Sequence, residues 1–192
     1  MRTRLRAFAS QAILEAAEEV FAEQGLQAGM DAIASRAGVA VGTLYKHFSD
    51  RDGLVQALLD ARFQELLTAI DRAREATAHV CFEEQLGSVL HVITEVTKLH
   101  AAFRRVTLQA ELPPCHPRRV ALRAAVVERL DVVLQRGRAE GLLGADPDLL
   151  QPVLLLGLLH STLVLSPRAA AQTSEEVARL VTRQFLYGAA AR

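Results

Sequence analysis

Thr43, Tyr45, Lys46 and His47 set a hydroxyl, a phenol and two basic groups side by side. Groups of this kind bond to phosphate oxygens and to the edges of bases. Leu44 and Phe48 lie among them at helical spacing, so on a helix they turn inward while the polar set faces out. Upstream, Ile33, Ala34, Ala37 and Val39 supply the rest of one small core, with Gly38 at a tight turn between the two halves. Residues 33–48 therefore read as a helix-turn-helix, whose second helix enters the major groove of double-stranded DNA. Val41 and Gly42 lie at the end that enters. Val41 suits a thymine methyl, and Gly42 permits close backbone approach. Thr43 and Tyr45 suit phosphates, and Lys46 reaches guanine or phosphate. Arg36 within the motif and Arg51 just beyond it complete the candidate DNA contacts. Arg2, Arg4 and Arg6 read as a flexible basic arm, for phosphates or a minor groove, or as an idle terminus.

The run Gly38-Val39-Ala40-Val41-Gly42-Thr43-Leu44-Tyr45-Lys46-His47-Phe48 resembles the DNA-binding signature of the TetR family of transcriptional regulators. Ile13, Ala16, Ala17, Val20, Phe21 and Gly25 resemble that family's first helix. Ser49, Asp50, Arg51, Asp52 and Leu54 resemble the start of its fourth. The likeness covers roughly residues 8–60. Two positions depart from the pattern. Gly25 to Asp31 is a residue shorter than usual and lacks the hydroxyl that opens the second helix, and Arg51 stands where the family has Lys. The resemblance implies an all-α chain: an N-terminal three-helix DNA-binding domain over 1–50, then a larger helical effector-binding and dimerisation domain over 51–192. It also implies a homodimer on a palindromic operator, repression by occupying a promoter, and release by a small-molecule effector.

Composition is neutral on DNA binding. The formal net charge is +0, and nucleic-acid binders often carry a basic excess. Acidic groups gather on the first helix and basic ones in or beside the turn motif, which implies modest non-specific affinity and reliance on groove contacts. Lys46 and Lys98 are the only lysines. No run reaches the ~18 apolar residues of a membrane span, and the acidic residues after the first arginines do not suit a signal peptide. A cytoplasmic protein without membrane contact is expected.

Helical periodicity runs through the whole chain. The first helix spans roughly 6–24, with Phe8, Ala12, Ile13, Ala16, Val20 and Phe21 on one face. Ser49-Asp50-Arg51-Asp52 caps a long helix to about Ala76. The next helix runs about 83–111 and stops at Pro113-Pro114. Pro117 opens another, to about Glu140, with Val120, Val127, Leu130, Val133 and Leu134 inward. Asp146-Pro147 starts a helix to Leu165. Thr173-Ser174-Glu175-Glu176 reads as a capping box for the last.

The helix over 149–165 is apolar in every direction, so it needs burial on every side. A core on one side and a second subunit on the other provides it. Leu155, Leu156, Leu159 and Leu163, with Val181 and Phe185 on the last helix, are the expected dimer interface; in the resembled family the last two helices form one. Polar side chains interrupt otherwise apolar helices between 80 and 165 at His91, Thr94, Glu95, His100, Gln109, His160 and Ser161. His91, Thr94, Glu95, Gln109 and His160, with Phe103, are the expected effector pocket, since a few polar groups in an apolar cavity make a small-molecule site. The plainer reading of each is exposure, or satisfaction within the core.

Cys81 and Cys115 fall in expected loops. Cys115 lies beside His116, Arg118 and Arg119, which favour a thiolate, so a disulfide or redox switch is one alternative. His79, Cys81, Cys115 and His116 are zinc-ligand types without the familiar spacings. No metal, cofactor or catalytic residue is expected. An enzyme on a helical bundle is the rival class, but no nucleophile–base set is apparent. The expected protein is a DNA-binding transcriptional regulator.

Overall fold

The computed structural model describes residues 2–100, 117–145 and 150–188. Phe103, Gln109, Cys115 and His116 lie outside the described residues, as does the Asp146-Pro147 helix start. The described chain is all-α, with no strand among those residues. Its helices are α1 (Arg2–Gln24), α2 (Met30–Arg36), α3 (Val41–His47), α4 (Arg51–Ala76), α5 (Phe82–Leu99), α6 (Pro117–Ala139), α7 (Leu150–Leu165), α8 (Pro167–Ala171) and α9 (Ser174–Tyr187). None is long and apolar enough to cross a membrane.

Contacts divide the chain into two compact units. The first gathers the residues up to Gln64 together with His100; the second gathers Glu65–Leu99 and the described residues from 117 on. The division therefore runs through α4 rather than between residues 50 and 51.

In the first unit, Ile13, Ala17, Val20 and Phe21 of α1 close on Ile33 and Ala34 of α2, Leu44 of α3, and Leu54 and Leu58 of α4. All are at most 1% exposed. Asp50 caps α4, its Oδ1 accepting the Gly53 N–H at 2.7 Å. That bond, and a second from Ser49, hold the Asp50 carboxyl below the ordinary carboxylate range.

The second unit packs Phe82, Leu86, Val89, Leu90 and Ile93 of α5 with Val126, Leu130, Val133 and Leu134 of α6, Leu155 and Leu159 of α7, and Val177 and Val181 of α9. Its buried Gln85, Thr94 and Asp131 are tied. Asp131 accepts from Arg138 at 2.6 Å and from Gln135 at 2.9 Å. Arg138 also donates to Gln151 of α7 at 3.1 Å. Arg136 donates to the Val80 carbonyl at 2.7 Å and to Gln85, which bonds the Arg74 carbonyl. Buried donors and acceptors paired this way avoid a desolvation penalty. Thr173 and Glu176 form the capping box of α9, with Thr173 N–H donating to Glu176 at 2.8 Å and Glu176 N–H to Thr173 at 3.2 Å.

Some expectations do not survive. The backbone from Arg2 is already helical, so the basic arm is the first turns of α1; nothing in residues 2–7 breaks a helix. Phe8 is 77% exposed and stands outside the core of the first unit. Val120 is 53% exposed, ahead of the packed part of α6. Leu155, Leu159 and Val181 are at most 2% exposed within one subunit. They are core residues and present no surface to a partner chain.

Candidate nucleic-acid interface

α2 ends in a Schellman arrangement. The Val39 N–H donates to the Ala34 carbonyl at 3.0 Å and the Gly38 N–H to that of Ser35 at 3.2 Å. Gly38 sits at φ +66, where a side chain costs about 1–2 kcal/mol. That residue sets the angle at which α3 leaves α2. Gly29 precedes α2 with no side-chain cap, in keeping with the hydroxyl missing from the sequence there.

α3 is held from below. Leu44 is 0% exposed and Phe48 9%. The opposite side of the helix is open: Val41 is 36% exposed and Tyr45 49%, Gly42 and Lys46 are exposed, and Thr43, His47 and Arg51 are half-buried. A Cβ on Gly42 would meet nothing within 4 Å, so this backbone is free to be approached from outside. The His47 ring lies beside Phe48, its centroid 6.2 Å away.

Arg36 is engaged within the unit. Its guanidinium meets Glu19 at 2.9 Å and Glu23 at 2.8 Å, which ties the end of α2 to α1. Hydrogen bonding to Arg36, and its charge, hold the Glu23 carboxyl below its ordinary range. Two acids thus offset this arginine's charge at the edge of the motif. Glu19 and Glu23 are one helical turn apart, a spacing visible in the sequence; the arginine they share comes from another helix and is not.

Of the residues expected to form one effector pocket, the described ones are not brought together. Thr94 is 0% exposed, and its hydroxyl donates to the Leu90 carbonyl at 2.7 Å. His91 lies 3.7 Å from the exposed Glu95 and lines an open cavity of about 860 Å³ between α5 and α9. His160 lines a different one, of about 490 Å³, between α6 and α7 with Arg123, Val126, Val127, Val153 and Leu156. Cys81 is exposed and unpaired.

Of the remaining interface candidates, Leu156, Leu163 and Phe185 are half-buried. The exposed apolar side of α7 is made instead by Leu150 (56%), Val153 (47%), Leu154 (65%), Val164 (50%) and Leu165 (77%), with Gly157 and Ser161 between them. On α9, Leu180 and Tyr187 are exposed. Contiguous apolar surface of this kind marks an interaction site.

Residues 13–58 match the model for bacterial regulatory proteins of the tetR family. The HTH-type transcriptional regulator UidR of Escherichia coli strain K12 is 34% identical over 101 residues, covering 52% of this chain and 47% of UidR. The match thus spans about half the length of this curated relative. The crystal structure of the TetR family transcriptional regulator PfmR from Thermus thermophilus superposes with a TM-score of 0.74 at 24% identity, covering 93% of this chain and 99% of PfmR. FadR from Bacillus subtilis, solved in complex with stearoyl-CoA, gives 0.74 at 22% identity, covering 94% and 99%. At those identities the solved structures establish the shared fold, while the sequence match falls on the helix-turn-helix itself. The matched segment, folded here as α2, turn and α3, is a tetR-type helix-turn-helix in an all-α chain that shares the fold of the solved TetR-family regulators.

Proposed function

We propose that the protein binds a near-palindromic DNA operator as a homodimer, with α3 of each subunit in the major groove, and represses transcription by occupying a promoter. The observation that carries this reading is the open side of α3. Val41, Gly42, Tyr45 and Lys46 face outward over a core that fixes the helix, and the space in front of Gly42 is empty. Val41 and Gly42 enter the groove first, Lys46 reaches guanine or phosphate, and Thr43, Tyr45 and Arg51 take phosphates. Arg36 serves this face by holding α2 against α1. The apolar side of α7, with Leu180 and Tyr187 of α9, supports the homodimer, because an isolated subunit would leave it in water.

A small-molecule effector would act by binding better to a state in which the two reading helices are wrongly spaced. α4 contributes residues to both compact units and is the natural lever. The cavity between α6 and α7 has apolar walls with Arg123 and His160 at hand, which suits an amphipathic anion. A long-chain acyl-CoA, the class of ligand bound by FadR of Bacillus subtilis, is the first to try.

Selection of bound sequences from a random DNA pool tests the reading. Enrichment of an inverted repeat, lost in Lys46→Ala, is expected. Failure to enrich any sequence, or enrichment unchanged by altering α3, would refute it. Titration of the resulting complex with stearoyl-CoA then tests the effector class by release of the DNA.

A further inference from the structure

Three charged or polar side chains from distant parts of the chain meet inside the first unit. Glu18 of α1 accepts from Arg62 of α4, whose Nε and Nη2 both lie 2.7 Å from Oε2. The other carboxylate oxygen, Oε1, lies 2.5 Å from Nδ1 of His100. An ionised carboxylate only accepts, so Nδ1 carries the proton in this bond. The side chains are 16%, 17% and 13% exposed, respectively. They stand apart from the exposed α1 acids, Glu19 and Glu23, that hold Arg36. His100 directly follows α5, whose residues belong to the second unit. One carboxylate therefore ties α1 both to α4 and to His100 within the first unit.

We infer that Glu18 is a positioning residue for DNA binding: through Arg62 and His100 it holds α1, and the helix-turn-helix packed on α1, in the arrangement that binds the operator. This rests on the operator reading above. Bonds sharing one largely buried carboxylate act as a unit, so loss of that carboxylate removes both ties at once. With the tie broken, α1 and the helix-turn-helix packed on it are held less firmly within the first unit, and the competent fraction falls. Apparent affinity falls by the same factor.

Operator binding of the full-length protein tests this, with the operator taken from the selected pool. Glu18→Gln and His100→Gln are compared singly and together, and Glu15→Gln, an exposed acid on the same helix, is the control. Each variant is checked by circular dichroism and thermal unfolding, so that affinity refers to folded protein. His100→Gln keeps the Glu18–Arg62 pair and guards against a Glu18→Gln variant that does not fold. Simple electrostatics predicts tighter DNA binding when any acid is removed, as Glu15→Gln should show. Positioning predicts the opposite for Glu18→Gln: a loss of about 10-fold, within the usual range for coupled sites. It also predicts a smaller loss in His100→Gln and a double variant whose loss is less than the product of the two single losses. A Glu18→Gln protein that binds as tightly as wild type, or losses that simply multiply, would overturn the inference. Wild-type protein with no sequence-selective binding would instead sink the operator reading itself, and the inference with it.

Discussion

α3 and α7 both pair a buried side with an exposed one, but the exposed sides differ in kind. On α3 the outward residues include Tyr45 and Lys46 around an unobstructed Gly42, over a buried Leu44. On α7 they are Leu150, Val153, Leu154, Val164 and Leu165, over buried Leu155 and Leu159. Water is an acceptable neighbour for the first surface and a poor one for the second. Hence the α3 face can wait, solvated, for a polyanion, whereas the α7 face calls for an apolar partner such as a second subunit. In each helix adjacent residues differ: Leu44 and Leu155 are buried and hold the fold, and Tyr45 and Leu154 are exposed.

The sharpest break in that comparison lies between Leu154 and Leu155. Leu155→Glu places a charge in the core and is expected to unfold the second unit. Leu154→Glu places it on a surface that is 65% exposed in the subunit and is expected to yield a folded monomer. Sedimentation and thermal unfolding of the two variants separate these outcomes. A Leu154→Glu dimer of wild-type stability would mean that the subunits pair elsewhere.

On α3 the expected effects are on binding and not on stability. Tyr45→Ala and Lys46→Ala should each weaken operator binding while changing stability by less than about 0.5 kcal/mol. A loss of about 1–3 kcal/mol for Lys46→Ala, confined to one operator base, would mark base reading. A uniform loss with a salt slope shallower by about 1 would mark phosphate contact. Binding titrations at several salt concentrations distinguish the two.

The glycines refine the same division. Gly38→Ala should cost about 1–2 kcal/mol of stability, because of its φ of +66. Gly42→Ala, in open space within a helix, should leave stability unchanged or raised by up to ~1 kcal/mol. It should still weaken DNA binding, since the added methyl stands where the groove must approach. Chemical denaturation beside DNA titration reads both. A Gly42→Ala protein with full affinity would remove the close approach from the account.

The smallest expected effect is on acid stability. Asp50 and Glu176 are held below the ordinary carboxylate range, chiefly by the Gly53 and Thr173 backbone N–H groups, respectively. A carboxylate with a depressed folded value adds stability that is fully present above its unfolded value of about 4 and is lost as pH falls through the folded one. Asp50→Asn should therefore flatten the fall in stability below about pH 4 and change little near pH 7. Unfolding midpoints across that range check it.

What the sequence made legible was what local rules decide. Gly38 as the turn, Leu44 and Phe48 as the anchors of α3, Asp50 within the cap of α4 and the Thr173–Glu176 box each follow from a few neighbouring residues. The phase of α7 does not. A helix apolar on every side carries no periodic signal for which leucine faces the core, so Leu155, Leu159 and, on α9, Val181 were expected at a surface they do not reach. Phe8 continues the apolar face of α1 in the sequence but stands outside the core of the first unit. The dispersal of His91 and His160 into separate cavities, and the capture of Arg36 by Glu19 and Glu23, depend on how helices meet, which spacing along one helix does not encode.

The central claim is that α3 reads the DNA while the apolar face of α7 supplies the second copy. Binding of wild type and Leu154→Glu to the full palindrome and to an isolated half-site tests it most directly. The two half-sites should lie about 34–36 Å apart, one helical turn. Wild type should prefer the palindrome to the half-site by at least about 100-fold, as linked binding events do. Leu154→Glu, its reading head intact, should bind both as weakly as wild type binds the half-site. A variant that keeps wild-type affinity for the palindrome, or a folded variant that loses half-site binding as well, would contradict the account.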